Sequence, residues 1–275
     1  MDTHGSDKTL PPSIPGTARG QRPTAGGHPS ARPGGRSGSA RAAGPCLWAV
    51  WLTIVPAAAA AERLTPVPYD DLPPLAPELV TFDRLPAKDY PGYSFDHGLA
   101  VPGARLGERF AGQGLGAVHI DDGGPHDRLT GRPAVPLAIE PGAPGQGLSL
   151  SRHTAYRSMA LYPLGPLGQP DPQARGEGSV AILFARDACA VGFRVHTEYV
   201  DAFGTTEGHE GTIRATFYAR DGAPIGAVRI VAPEGISAHG FLDAQAGIAG
   251  LTLENRDPGG VSFDDLRFGC PAPTG

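Results

Sequence analysis

The chain has 275 residues, 40 of them glycine and 30 proline, and only 7% are aromatic. That composition argues against long helices and for many short strands joined by turns, in one large domain or two small ones. The net charge of −5 hides an asymmetry: residues 1–61 carry six basic against two acidic side chains, so the remainder bears −9. A domain that acidic counts against nucleic acid and anionic membrane surfaces as partners.

Residues 1–46 are rich in Gly, Pro, Ser and Arg and nearly free of large apolar side chains. They cannot bury enough surface to offset chain entropy, and a disordered leader is expected. Leu47–Val55 (LWAVWLTIV), then Pro56 and Ala57–Ala61, complete the pattern of a secretory signal peptide, with cleavage expected between Ala61 and Glu62. The alternative is a membrane anchor, but the run is shorter than the roughly 18 residues a span needs. The leader is long for a signal, which leaves open a true start downstream of Met1. The expected location is secreted, periplasmic or cell-surface, with no membrane span in the mature chain. Arg in excess over Lys, with abundant Ala, Gly and Pro, points to a GC-rich bacterial genome.

Glu62–Pro77 reads as a proline-rich linker, and a β-sandwich domain is expected over 78–270, with 271–275 as a tail. Glu78–Asp83 (ELVTFD) is a first strand. Gly112-Gln-Gly114-Leu-Gly116 lacks the strand–turn–helix context of a nucleotide loop and reads as a glycine-rich strand edge or bulge. His119–Asp127 (HIDDGGPHD) has no EF-hand or zinc spacing and reads as a solvated turn. Short strands are expected at Leu137–Glu140 and Leu148–Leu150. Tyr156–Leu167 reads as a long surface loop. Ser179–Ala185 (SVAILFA) has the near-continuous apolar run of a strand buried on both faces, with a turn at Arg186-Asp187 and a return over Cys189–Thr197. Tyr199–Gly211 is a second long loop. In Thr212–Tyr218, Ile213, Ala215 and Phe217 point inward and Arg214, Thr216 and Tyr218 outward, and the Asp221-Gly222 turn joins this strand to Ile225–Val231.

The most informative stretch is Gly247–Cys270, read as a final hairpin turning at Pro258-Gly259-Gly260. Strict alternation would put Val261 and Phe263 on one face of the last strand and Leu266 and Phe268 on the other. All four reach one core only if a β-bulge at Asp264-Asp265 inserts one residue. Cys46 lies in the leader, so Cys189 and Cys270 form an even pair in an oxidising compartment, and a disulfide between them is expected; two free buried thiols are the alternative.

The ending Val261–Phe268 (VSFDDLRF) resembles the last strand of secreted jelly-roll β-sandwich modules, including galactose-binding-like and carbohydrate-binding modules. Its pairing with an early Val80–Asp83 strand (VTFD) resembles small exosortase-sorted bacterial sandwiches, with a departure at PAPTG, where those proteins carry a hydrophobic anchor. The resemblance spans roughly Glu78 to Cys270 and implies an all-β antiparallel sandwich of jelly-roll type. It also implies a structural calcium held by an early acid and the terminal pair, here Asp83, Asp264 and Asp265. Calcium takes six to eight oxygens, some from main-chain carbonyls. The alternative is that these aspartates cap turns and accept main-chain hydrogen bonds.

Catalytic patterns fail on spacing. Gly147-Leu-Ser149-Leu-Ser151 lacks the second glycine of a nucleophile elbow, and His209-Glu210 has no second histidine four residues on. Adjacent Asp264 and Asp265 diverge on a strand, which does not suit an acid/base pair. Both tryptophans, Trp48 and Trp51, belong to the leader, leaving Tyr156, Tyr162 and Tyr199 as a platform for a ligand. The expected function is a non-catalytic secreted or cell-surface module that binds or scaffolds, its partner a glycan or a cell-surface component. A carbohydrate-binding module is the second reading and a jelly-roll hydrolase the third.

Overall fold

The computed structural model describes residues 63–119, 125–197, 210–256 and 259–272. The leader, its signal peptide, Asp121, Asp122, Tyr199 and His209 lie outside the described residues. Within them there is no α-helix, only strands and two short 3-10 turns. The first strands are β1 (Leu64–Val67), β2 (Glu78–Val80), β3 (Tyr93–Phe95), β4 (Leu99–Val101), β5 (Ala104–Gly107) and β6 (Arg109–Phe110). There follow β7 (Gly114–His119), β8 (Pro125–Thr130), β9 (Ile139–Glu140), β10 (Leu148–His153), β11 (Ser158–Pro163) and β12 (Ser179–Ala188). The last six are β13 (Ala190–Thr197), β14 (Glu210–Tyr218), β15 (Pro224–Pro233), β16 (Gly235–Asp243), β17 (Ile248–Asn255) and β18 (Ser262–Gly269).

Two antiparallel sheets form a sandwich. One runs β1-β16-β13-β18-β11-β10-β3, with β2 also paired to β18; the other runs β15-β14-β17-β12-β5-β4. From β11 onward the chain passes between sheets at almost every connection, and among the described strands only β14 and β15 form a hairpin. The result is β16-β13-β18-β11 facing β15-β14-β17-β12, the winding of a jelly roll. One core fills the space between, with Phe184, Phe193 and Phe217 fully buried and Phe263 and Phe268 packed among them.

The last strand behaves as its parity demands. Gly192 pairs with Arg267 but Arg194 with Asp264, so β18 carries one extra residue against β13. Asp265 is that residue, in the left-handed region at φ 49°. The bulge returns Leu266 and Phe268 to the same core as Val261 and Phe263. Cys189 and Cys270 are joined in a disulfide, Cα to Cα 4.8 Å, where β13 begins and β18 ends.

Several sequence expectations need correction. Gly247–Cys270 is not a hairpin: β17 pairs with β12 and β14, and β18 with β13, β11 and β2 in the other sheet. Alternation identifies a strand but not its partner. Likewise β12 continues through Arg186-Asp187 to Ala188, and β13 starts in the opposite sheet. Residues 63–77 are not a linker. β1 pairs with β16, and Tyr69, Leu72 and Ala76 are buried against Ala190 on the outer face of the eight-stranded sheet. Tyr156–Leu167 is not one loop, because Met159-Ala-Leu-Tyr162 lies in the buried strand β11. The part of His119–Asp127 that is described is not solvated: His126 and Asp127 sit in β8 and are buried. Thr216 and Tyr218 do point outward but are covered, since the β6–β9 and β7–β8 pairs add a further layer there, and Phe110 packs edge-on against Tyr218 at 5.6 Å. Within the described residues, no helix is long and apolar enough to cross a membrane.

Candidate functional site

The outer face of the eight-stranded sheet is polar yet buried. In β10, Leu148 and Leu150 enter the core, so Ser149, Ser151 and His153 face outward. The pairings Ser149↔Tyr162, Ser151↔Ala160 and His153↔Ser158 place Tyr162 and Ser158 beside them. On β18 the same face carries Ser262 and Asp264, and Ser262 pairs with His196 of β13. At one end this face is covered by the 3-10 turn Tyr69–Asp71 and Leu72, which pack over Gly192. At the other end it opens into a cavity of about 230 Å³ lined by His153, Tyr162, Arg175, His196, Ser262 and the turn Gly259-Gly260.

Each wall has a local cause. The β10–β11 turn is closed by His153: its carbonyl accepts from Arg157 N–H at 2.9 Å, and its ring Nδ1 accepts from Ala155 and Tyr156 N–H at 3.1 and 3.4 Å. With Nδ1 acting as acceptor, the ring is the neutral Nε2–H tautomer. Burial, helped by His196 and Arg175, pushes its pKa down to about 3. The Tyr156 ring lies 4.8 Å from His153 and 6.0 Å from His196, and its hydroxyl donates to the Ser262 carbonyl at 3.4 Å. His153 and His196 meet at 4.2 Å.

Arg175 comes from the connection between β11 and β12. Gly165 N–H donates to the Ala174 carbonyl at 2.7 Å, and Gly176 N–H to the Pro163 carbonyl at 2.8 Å, so this segment is pinned to the end of β11. The guanidinium lies 4.0 Å over the Tyr162 ring and 5.3 Å from Tyr90, and it donates to the Tyr162 hydroxyl. Its Nε is buried without a hydrogen-bond partner, and it has no acidic partner among the described residues. The Ser151 and Ser262 hydroxyls neighbour the Tyr162 hydroxyl and, with Arg175, oppose the rise in its pKa that burial causes. Neither serine oxygen makes a hydrogen bond of good geometry.

The three aspartates expected to hold calcium lie near this face, but their carboxylates turn to different partners. Asp83 accepts from Met159 N–H at 2.9 Å. Asp264 accepts from the Ser158 hydroxyl at 2.7 Å and from Asp265 N–H at 2.8 Å, and Asp265 pairs with Arg194 at 3.0 Å. Among the described residues no group of three or more His, Cys, Asp or Glu is arranged to hold a metal. Burial raises the Asp264 pKa to about 7, against the opposing effect of Ser158 and the Asp265 amide.

Of the ligand residues expected from sequence, Tyr162 lines the cavity and Tyr156 braces His153, while Tyr199 lies outside the described residues. Sequence reasoning missed Arg175, His196 and Ser262. For His196 a signal was present, since alternation with Val191, Phe193 and Val195 sets it opposite the core; Arg175 had none. Comparison with protein-family models, with curated proteins and with solved structures finds no match for this chain.

Proposed function

We propose that this protein is an exported, non-catalytic binding module, and that the pocket on the outer face of its eight-stranded sheet takes a small hydroxyl-rich ligand, such as one sugar ring of a glycan. One observation carries the reading. The hydroxyls of Ser262 and Tyr162 line a cavity, with the buried Ser151 hydroxyl behind them beside Tyr162, and neither serine hydroxyl has a well-formed bond. Buried hydroxyls left in that condition cost free energy that a ligand able to exchange hydrogen bonds would recover. The cavity is smaller than the ~300–1,000 Å³ of drug-sized sites, and so fits a single ring.

Binding is favoured over hydrolysis by the shifted acidities of His153 and Tyr162. Burial drives His153 far below neutral and Tyr162 above its usual value. General acid–base catalysis at neutral pH wants a group poised near 7. Asp264 has such a value, but its carboxylate is occupied by Ser158 and the adjoining amide. Export is supported by LWAVWLTIV followed by the alanine run, and by the Cys189–Cys270 bridge. The test is a glycan array with the purified protein beside the double variant Ser151→Ala, Ser262→Ala. Hits that weaken at least tenfold in the variant support the reading, and an array without hits refutes it.

A further inference from the structure

The hydroxyls account for a neutral sugar, but they leave the charge of Arg175 without a use. We propose that the pocket selects an anionic saccharide, a ring bearing a carboxylate or a sulfate, and that Arg175 is the group that clamps the anion. This rests on the pocket being the binding site.

The first support is the condition of the guanidinium. One of its ends is spent on the Tyr162 hydroxyl, while Nε is buried and makes no hydrogen bond. A buried cationic donor left open costs more than a neutral one, and an anion accepting from it would form a charge-assisted bond. Among the described residues no carboxylate belongs to the cavity lining, so the anion is expected from the ligand.

The second support is preorganisation. Arg175 is packed against two tyrosine rings, and its main chain is locked from both sides. Tyr90 donates its hydroxyl to the Asp171 carbonyl at 2.8 Å, and Val261 N–H donates to the Gly176 carbonyl at 3.0 Å. A side chain held this way gives up little further entropy on binding, which is how an arginine fork becomes selective rather than merely attractive.

The third is contrast with the rest of the domain. Outside the leader the chain bears −9, so a free anion is not drawn to this surface by bulk charge. An anion retained there has to be recognised locally, through the guanidinium together with the flanking hydroxyl of Ser262.

The experiment is calorimetric titration of the purified protein with three probe sets: oligogalacturonides, sulfated galactose oligosaccharides, and neutral oligosaccharides of matching length. We expect at least tenfold tighter binding of one anionic set than of its neutral counterpart, and the preferred set tells carboxylate from sulfate. Arg175→Gln should collapse that ratio toward one, and Arg175→Lys should restore part of it. Equal affinity for neutral and anionic probes, or an Arg175→Gln protein that keeps the ratio, would overturn the clamp while leaving the pocket as a neutral-sugar site. Binding of none of the probes by the unmodified protein would overturn both readings. If Arg175→Gln does not fold, the neutral-against-anionic comparison on the unmodified protein and the Lys variant still decides.

Discussion

Gly176 and Gly260 are stacked main chain against main chain beneath the pocket. Both are left-handed, at φ 86° and 76°; a Cβ at 176 would lie 2.7 Å from the Val261 carbonyl oxygen, and one at 260 would meet the Arg175 carbonyl. The turn that brings Gly259 to the cavity and the segment that brings Arg175 there therefore hold each other in place. Gly260→Ala should cost about 2–4 kcal/mol, from positive-φ strain plus a main-chain clash that nothing flexible can relieve. Gly235 offers the control: its φ is 87° but a Cβ there meets nothing within 4 Å. Gly235→Ala should cost only the strain, about 1 kcal/mol. Urea denaturation of the two variants measures the difference; equal losses would mean that the close approach under the pocket carries no energy.

The bulge in β18 makes a sharper prediction. Asp265 supplies the extra residue that brings Leu266 and Phe268 to the same core as Phe263. Deleting Asp265 would shift parity and send two large apolar side chains to the wrong face, each worth about 1.5–3 kcal/mol of burial. The deletion should abolish folding. Asp265→Gly keeps the φ of 49° available and loses the partly exposed pair with Arg194, so it should stay within about 1 kcal/mol of the parent. Circular dichroism and melting separate the two. The same melts, run with and without chelator, address calcium: with Asp83, Asp264 and Asp265 each engaged by protein donors, the midpoint should not move, and a fall of several degrees would establish an ion site.

Asp265 also shows what kind of structure sequence can carry. The bulge was legible because four apolar residues in one short strand have incompatible parity, and only one geometric device repairs that. The disulfide was legible for a similar reason, since with Cys46 read as part of the leader the two remaining cysteines leave one pairing. Strand partners were not. Leu251 and Phe263 each announce a strand, but no local rule says that the turn between them crosses from sheet to sheet rather than folding back. The pocket depends on that hidden step. His196 and Ser262 become neighbours only because β13 and β18 pair, and Arg175 joins them from a connection whose Pro and Gly content disguised β11 as a loop. Chemistry assembled from four distant segments leaves no spacing to read.

The bridge between Cys189 and Cys270 ties the first residue before β13 to the first residue after β18, 81 positions apart, where Cys189 N–H already donates to the Gly269 carbonyl at 2.9 Å. Loop-entropy arguments give about 4 kcal/mol for a closure of this length. Reduction under native conditions, or the double variant Cys189→Ser, Cys270→Ser, should lower stability by about 2–4 kcal/mol without unfolding the sandwich, because the strands it joins, β13 and β18, remain paired from Ala190 to His196. A midpoint unchanged by reduction would show that the ladder alone fixes these ends.

The last prediction concerns Asp127 and Glu108, buried between the outer layer and the six-stranded sheet. Asp127 accepts from Ser179 N–H at 3.2 Å with its other oxygen unpartnered, and one Glu108 oxygen is likewise unpartnered while the second pairs with Arg109. Burial, with Glu108 nearby, raises Asp127 to about 8; burial, opposed by Arg109, raises Glu108 to about 7. In the unfolded chain both fall near 4. Between those limits the folded protein binds more protons than the unfolded one, so stability is greatest below about pH 4 and is lost as pH rises through 7 and 8. His153 acts in the opposite sense: folded near 3 and unfolded near 6.5, it adds stability as pH climbs through that window and nothing above it. The two effects oppose each other below pH 6.5, whereas only the raised carboxyls, Asp127 and Glu108 together with Asp264, act between 6.5 and 8.5, and there the melting temperature should fall. In Asp127→Asn the side-chain oxygen can still accept from Ser179, and no charge has to be buried. That variant should gain on the order of 2 kcal/mol over the parent at pH 8.5, much less at pH 5, and flatten the decline. A parent protein whose midpoint holds steady or rises from pH 6.5 to 8.5 would mean that these carboxylates reach water or a cation when ionised.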